Sequence, residues 1–235
     1  MHFSARTAVH RVVVSFGLIS VLALGLVACS GTDVVGKVAT TSFEKVADAS
    51  RTAVFKDEAT RTWNLGSPGG DLVRFSTDFS KSGDVEFLFD AAPFLAAGLD
   101  PSKLPSTGDV VYSVSSDGHL RIAFDLGAQP ISSDADSSLG ALFKDIVRTR
   151  RDRIGYHEKL DHYGIKLGNG NMFEWAKDMA KNDKDIVWVL NPDPFIQAGV
   201  DPAKVQGWAF AKVELKDDAG KTILVDKLLR PYNIQ

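Results

Sequence analysis

Two histidines beside a glutamate are the residues of this 235-residue sequence that first suggest metal chemistry. His157, Glu158 and His162 are the residue types that a zinc-binding helix uses, but there the two histidines stand four apart on one face. Here they are five apart, which separates them by roughly 140° around a helix. They also fall where a helix is expected to give way to a strand. The spacing argues against a zinc helix, and we assign no metal ligands.

Ser42 and Lys45 have the Ser-x-x-Lys spacing that penicillin-binding enzymes use for their nucleophile. The Lys-Thr-Gly and Ser-Asp-Asn segments of those enzymes are missing, and no Gly-x-Ser-x-Gly elbow occurs. Gly168-Asn169-Gly170 lacks the third glycine of a dinucleotide loop. We therefore assign no catalytic residues and no cofactor. The sequence favours a non-catalytic protein, and an enzyme with an unrecognised site stays open.

Aromatic side chains commonly line binding pockets, so the four tryptophans are candidates for a ligand site. Trp175 stands where an earlier, related segment has Phe75, Trp188 where it has Phe87, and Asp193 where it has an alanine. We predict Trp175, Trp188 and Asp193 as ligand-binding residues in a crevice between the two related halves of the chain. The alternative is that both tryptophans are core residues and that their difference in size from Phe75 and Phe87 is a neutral change.

A basic cluster at 148–153 contains four arginines. Its simplest interpretation is the solvated face of a helix. The functional alternative is contact with anionic lipid headgroups or wall polymer.

The elements that would position these residues occur twice. Residues 87–104 and 188–205 carry Pro-Phe, Ala-Gly and Asp-Pro pairs in the same register, with apolar residues matching apolar ones. A match of this length indicates an internal duplication. The polar residues of the motif, such as Asp90 and Asn191, suit the start of a short helix, because their side chains can accept free amide hydrogens.

Each copy predicts the same series of elements. Apolar residues at helical spacing surround Phe43 and Phe143, and Thr41 with Glu44 fits a capping box that would start the first helix. A hairpin, an apolar strand, the short helix and a second hairpin follow. Short turns cannot form parallel crossovers, so the strands should be antiparallel. The predicted fold class is α+β, with two tandem units of one helix on an antiparallel sheet.

The boundaries follow from composition. We predict a signal peptide at 1–28, a lipidated tether at 29–40, the first unit at 41–127, a Ser- and Asp-rich linker at 128–138 and the second unit at 139–235.

The N-terminal segment sets the expected location. Arg6 and Arg11 precede an almost wholly apolar stretch at 12–26, which is typical of a secretory signal. Its end, Leu26-Val27-Ala28-Cys29, resembles the lipobox of bacterial lipoproteins. The resemblance implies cleavage before Cys29 and acylation of that cysteine with chains such as palmitate. A membrane would then be a partner through Cys29, and the protein would be extracytoplasmic, at the cell membrane or outer envelope.

The remaining composition limits the function. Without residues 1–28 the chain has 25 basic and 30 acidic side chains, a net charge of −5, which argues against nucleic acid. A single cysteine excludes an internal disulfide. We predict a lipid-anchored envelope protein that binds an unknown protein or small molecule. An envelope hydrolase or transferase and a solute-binding lipoprotein are the alternatives.

Overall fold

The computed structural model describes residues 16–19, 31–79, 83–127, 132–157, 160–179, 184–216 and 221–234. Cys29 and most of the predicted signal peptide lie outside these ranges, so the signal and the lipid anchor stay predictions.

The first half of the chain contains a long helix, a short helix and six strands, and a further strand precedes them. In chain order these are β1 (Phe16–Ile19), α1 (Gly31–Ala49), β2 (Val54–Asp57), β3 (Thr62–Gly66), β4 (Leu72–Ser76), β5 (Val85–Asp90), α2 (Ala92–Ala96), β6 (Val110–Val114) and β7 (His119–Phe124).

The second half repeats the series. Its elements are α3 (Leu139–Thr149), β8 (Ile154–His157), β9 (His162–Gly168), β10 (Asn171–Ala176), β11 (Ile186–Leu190), α4 (Asp193–Gln197), β12 (Ala209–Lys216) and β13 (Thr222–Tyr232).

The two halves form two sheets with the same strand order. The first sheet runs β2-β3-β4-β5-β7-β6 and is antiparallel throughout. The second runs β8-β9-β10-β11-β13-β12 with the same pairing, and β1 adds to the edge of β12 in parallel. The predicted α+β class with antiparallel sheets is confirmed.

Local turn chemistry explains several of these elements. Asn169 and Gly170 have φ angles of 46° and 71°, the positive values that a tight primed hairpin turn requires. The Asp90 carboxylate accepts the Ala92 N–H at 2.9 Å at the start of α2. Asn191 does the same for the N–H of the first residue of α4, at 3.1 Å. These polar side chains therefore have structural partners, as the sequence predicts.

Helix α1 begins earlier than predicted. The expected tether extends to residue 40 and the expected helix starts at Thr41, whereas α1 already begins at Gly31. Ala39 and Phe43 are fully buried and Val35 and Val38 are half-buried against the same core, so the apolar stripe continues through the expected tether. Packing along this stripe keeps the segment helical.

The two halves share one core, which corrects the expectation that each helix packs in the core of its own unit. The rings of Phe43 in α1 and Phe143 in α3 stack with centroids 3.7 Å apart. Phe43 also contacts Phe75 of its own half and Trp175 of the other half, at 5.9 and 5.4 Å. Amphipathic spacing identifies the buried face of a helix, and here that face is covered from both halves.

The repeated motif forms a reciprocal contact between the halves. The Asp100 N–H donates to the Ala198 carbonyl at 2.8 Å, and the Asp201 N–H donates to the Ala97 carbonyl at 2.9 Å. Between these bonds, a Cβ added at Gly98 would lie 2.7 Å from the carbonyl oxygen of the matching glycine. The motif therefore requires glycine for close approach of the two backbones as well as for its positive φ of 106°.

Candidate functional site

The two predicted ligand-binding tryptophans lie in the shared core. Trp175 and Trp188 are both 0% exposed. The Trp175 indole N–H donates to the Ser42 hydroxyl at 2.8 Å. Trp188 packs edge-on against Phe89 at 6.1 Å and Tyr232 at 5.6 Å. Neither ring presents surface to a ligand here, and their burial supports the alternative that they are core residues.

Asp193, the third predicted residue, is exposed at the start of α4. Near it, the Lys227 ammonium donates to the Gly170 carbonyl at 2.7 Å and is almost fully buried. Burial lowers the pKa of Lys227, and the negative charge of Asp193 acts in the opposite direction. Asp193 is therefore near a buried cation but is not brought together with the two tryptophans.

His157 and His162 lie on the β8–β9 hairpin, where they form a cross-strand pair, and not on a helix. Both are buried, and His162 Nδ1 lies 3.8 Å from Glu174 Oε2. Within the described ranges, no group of three or more His, Cys, Asp or Glu side chains could hold a metal ion.

The outward faces of the two sheets differ in chemistry. On the first sheet Glu86 lies between Arg74 and Arg121 and forms ion pairs with both. At the positions of Glu86 and Arg121 the second sheet has Val187 and Leu229. These belong to a separate apolar cluster on that sheet: Met172, Val187, Val189, Val213 and Leu229. The two halves therefore have the same fold, but the outward faces of their sheets differ in chemistry.

One end of the contact between the halves is closed by an ion pair. Asp71 Oδ2 accepts bonds from Arg230 Nε at 2.7 Å and from the Tyr232 hydroxyl at 2.7 Å, and Asp71 is 1% exposed. Burial raises the pKa of Asp71, while the Tyr232 bond and the Arg230 charge act to lower it. A Cβ added at Gly69 would clash with the Tyr232 hydroxyl, so the two halves of the chain are in tight contact there.

At the equivalent opposite end the halves leave a pocket. Asn171 stands in place of Asp71, and Ile122 and Phe124 stand in place of Arg230 and Tyr232 in the strand register. These residues cannot form the same ion pair. A cavity of about 320 Å³ lies there between 105–125 of the first half and 153–169 of the second. We call this cavity the inter-copy pocket.

Polar groups from both halves line the inter-copy pocket. The first half contributes Asp109, Tyr112 and Asp125, and the second contributes Arg153 and Asn169. The Tyr112 hydroxyl accepts the Asn169 amide at 3.4 Å. It also accepts the amide of the neighbouring buried asparagine at 3.1 Å. Burial raises the pKa of Tyr112, so its hydroxyl stays protonated and can also donate.

A third carboxylate, that of Asp84, lies behind the pocket wall. Asp84 is 0% exposed, and its Oδ2 accepts the Leu126 N–H at 2.7 Å. Burial, with a smaller contribution from the neighbouring Asp125, raises the pKa of Asp84 to about 6. Arg150 donates to the carbonyls of Leu126 and Gly127 and so fixes the strand end that carries this amide.

This arrangement suits recognition of a small polar molecule. Two carboxylates, one guanidinium and a side-chain amide can pair with hydroxyl and amine groups, and Leu167 and Val110 add apolar wall. Among the described lining residues there is no histidine or cysteine, and Asp84 does not reach the cavity.

The sequence predicts a ligand site between the halves, and the pocket found there has other lining residues than the three predicted ones. Tyr112 lies in β6 and Asp125 in the loop after β7, where no motif marks them. Arg153 ends a short 3-10 helix in the basic cluster at 148–153, which the sequence connected with lipid or wall polymer and not with this pocket. The available signal was the difference between copies at the positions of Asp71 and Asn171, which has meaning only once the register across the two halves is known.

No protein-family model, curated protein or solved structure matches this chain. None of the helices in the described part of the chain is long and apolar enough to cross a membrane.

Proposed function

We propose that this chain is a lipid-anchored, extracytoplasmic envelope protein that acts as a non-catalytic binding module. Its anchor is the acylated Cys29 that the Leu26-Val27-Ala28-Cys29 sequence implies. Its two halves arose by internal duplication, which the common order of elements and sheet strands supports. Its ligand occupies the inter-copy pocket.

The observation that carries the ligand site is the difference between the two ends of the contact between the halves. One end is sealed by Asp71, Arg230 and Tyr232. The other end does not have these groups and has a polar cavity instead. Two carboxylates and a guanidinium from both halves line this one cavity, an arrangement of convergent polar groups that suits a ligand site.

The lining selects the class of ligand. A volume of about 320 Å³ is at the small end of the range for ligand sites, and two carboxylates outnumber the one guanidinium. The proposed ligand is therefore a small polyhydroxylated molecule that carries an amine, of the size of an amino sugar.

The test is a titration of the full chain with glucosamine and with glucose, followed by calorimetry. Binding of glucosamine should be tighter than binding of glucose, because only glucosamine carries an ammonium group that can form an ion pair with Asp109 or Asp125. Asp125→Asn should weaken glucosamine binding at least tenfold, since a hydrogen bond to a charged group contributes about 1.5–3 kcal/mol. Asp226→Asn, which removes the same charge from a partly exposed position on β13, is the matched control and should bind as the wild type does. Equal affinity in both variants would refute the site.

The anchor has its own test. Cys29→Ser should leave an unprocessed precursor that takes up no labelled fatty acid, because the resemblance assigns both events to that thiol. Normal processing and labelling of the variant would refute the lipoprotein proposal and leave the pocket untouched.

One observation favours the enzyme alternative. Asp84 and Asp125 form a pair of neighbouring carboxylates, and a pKa of about 6 is in the range of a general acid. The Asp84 side chain is nevertheless fully buried and bonded to a backbone amide. Turnover of an amino-sugar glycoside by the wild type, abolished in Asp84→Asn, would favour the enzyme over the binding module.

A further inference from the structure

A basic groove runs between helices α1 and α3. It has a volume of about 630 Å³, and its charged lining consists of Lys37, Glu44, Lys144, Arg148 and Arg151. Four of these side chains are cationic and one is anionic, although the chain as a whole is acidic. This surface is therefore locally basic, and we call it the helix groove.

The groove exists because the two helices approach closely at small residues. A Cβ added at Gly36 would lie 3.3 Å from both Val147 Cγ1 and Arg151 Nε. A Cβ added at Gly140 would lie 3.1 Å from Glu44 Cγ. The long side chains of both helices therefore line the two sides of the groove, and Gly36 lies at its base.

The two lysines of the groove are available for binding. Lys37, Lys144 and Arg148 are exposed, and Arg148 bonds Asp145 at 3.2 Å. In the part of the chain that the structure describes, neither Lys37 nor Lys144 forms an ion pair. Both ammonium groups are exposed, so an anion that enters the groove can pair with them without first displacing a bound carboxylate.

The groove also lies close to the proposed anchor. Helix α1 begins at Gly31, two residues after Cys29, and six residues separate Gly31 from Lys37. At a rise of 1.5 Å per residue, Lys37 lies roughly 9 Å along the helix from its start. Val34 in the first turn is 58% exposed, an apolar side chain on the segment nearest the anchor. A rigid helix at this distance holds the groove near the bilayer surface.

From these observations we propose that the helix groove binds the anionic headgroups of the membrane that holds the anchor, and so fixes the orientation of the body on that membrane. The proposal rests on the lipid anchor of the proposed function. Basic residues near a membrane are attracted by its negative surface potential, and the attraction falls off within a Debye length. An anchor that places the groove at the surface makes this attraction effective.

The experiment compares lysine acetylation of the processed protein, extracted from membranes with its anchor, on two kinds of vesicle. One is phosphatidylcholine alone, and the other is an equal mixture of phosphatidylcholine and phosphatidylglycerol. On the anionic vesicles Lys37 and Lys144 should be protected from acetylation, and added salt should remove the protection. Lys212, whose side chain is 64% exposed on β12, should be acetylated equally on both.

Variants sharpen the test. Lys144→Gln should reduce the protection of Lys37 about fivefold, the effect of one basic residue near an anionic surface. Lys212→Gln changes the same charge elsewhere and should leave the protection of Lys37 unchanged. The proposal would be overturned if Lys37 were unprotected on both kinds of vesicle, or if it were protected to the same extent on both. Protection by inorganic phosphate on neutral vesicles would also overturn it, because the groove would then be a site for a soluble anion.

Failure of the anchor is distinguishable from failure of the groove. A protein that does not remain on neutral vesicles lacks the anchor. The acetylation of Lys37 and Lys144 on anionic vesicles still tests whether the groove binds anionic headgroups.

Discussion

Asp84→Asn tests whether a buried acid beside the inter-copy pocket makes the protein less stable at neutral pH. In the folded chain the pKa of Asp84 is raised to about 6 from the ordinary value of 3.8, mainly by burial. Between these two values the folded state holds a proton that the unfolded state has released. Stability must therefore fall as pH rises from about 4 to about 7.

The size of the fall follows from the shift. A difference of about two pKa units corresponds to about 3 kcal/mol, since each unit is about 1.4 kcal/mol. The asparagine side chain of the variant would have no proton to lose, and its oxygen can still accept the Leu126 N–H that Asp84 accepts at 2.7 Å. Relative to the wild type, the variant should gain up to about 3 kcal/mol between about pH 4 and about pH 7.

Urea unfolding at a series of pH values measures this difference. Asp125→Asn should remove part of the fall, because the charge of Asp125 is a smaller cause of the raised pKa. Asp185→Asn is the matched control for the hydrogen bond, since Asp185 accepts the Ile234 N–H at the equivalent strand end. If Asp84→Asn and the wild type give parallel stability profiles over this pH range, the reasoning is refuted.

Four further substitutions test the shared core. Phe94→Ala and Phe195→Ala should each cost about 3–5 kcal/mol, and because their ring centroids lie 5.0 Å apart the double variant should cost less than the sum, as measured by denaturation. Gly98→Ala should cost at least about 1–3 kcal/mol, since its Cβ would lie 2.7 Å from a carbonyl oxygen at a φ of 106°; an unchanged unfolding midpoint would show that the backbones are not in close contact. Trp175→Phe should lower stability by about 1–3 kcal/mol through the lost bond to Ser42 and leave glucosamine affinity unchanged, whereas a changed affinity would return Trp175 to the ligand site.

The sequence predicts a local element well where the element requires a particular residue type at a particular position. The Asn169-Gly170 turn, the polar residue before each short helix and the apolar strands 85–89 and 186–190 are all found in the structure. Each depends on backbone angles or on hydrogen bonds within a few residues. Periodicity also identified Phe43 and Phe143 as buried, because that follows from spacing along one helix.

Relations between the halves could not be predicted in the same way. Spacing shows which face of α1 is apolar but not that Trp175 of the other half covers it. The early start of α1 at Gly31 follows from its packing, which a Gly- and Thr-containing segment does not reveal. The Tyr112 hydroxyl in the wall of the inter-copy pocket bonds Asn171 across 59 residues of sequence, a pairing that no local pattern contains.

The reciprocal contact between the repeated motifs has a consequence for the history and assembly of the fold. A bond from Asp100 to Ala198 matched by one from Asp201 to Ala97 is what an approximate two-fold axis produces, with Phe43 and Phe143 stacked across it. Such self-complementary, isologous contacts are typical of homodimers. The two sites that this axis relates nevertheless differ, because one has the Asp71–Arg230 ion pair and the other has a cavity lined from both halves. Identical subunits around a two-fold axis would have two identical sites, whereas two halves of one chain have separate sequences and can have a closed contact at one site and an open pocket at the other.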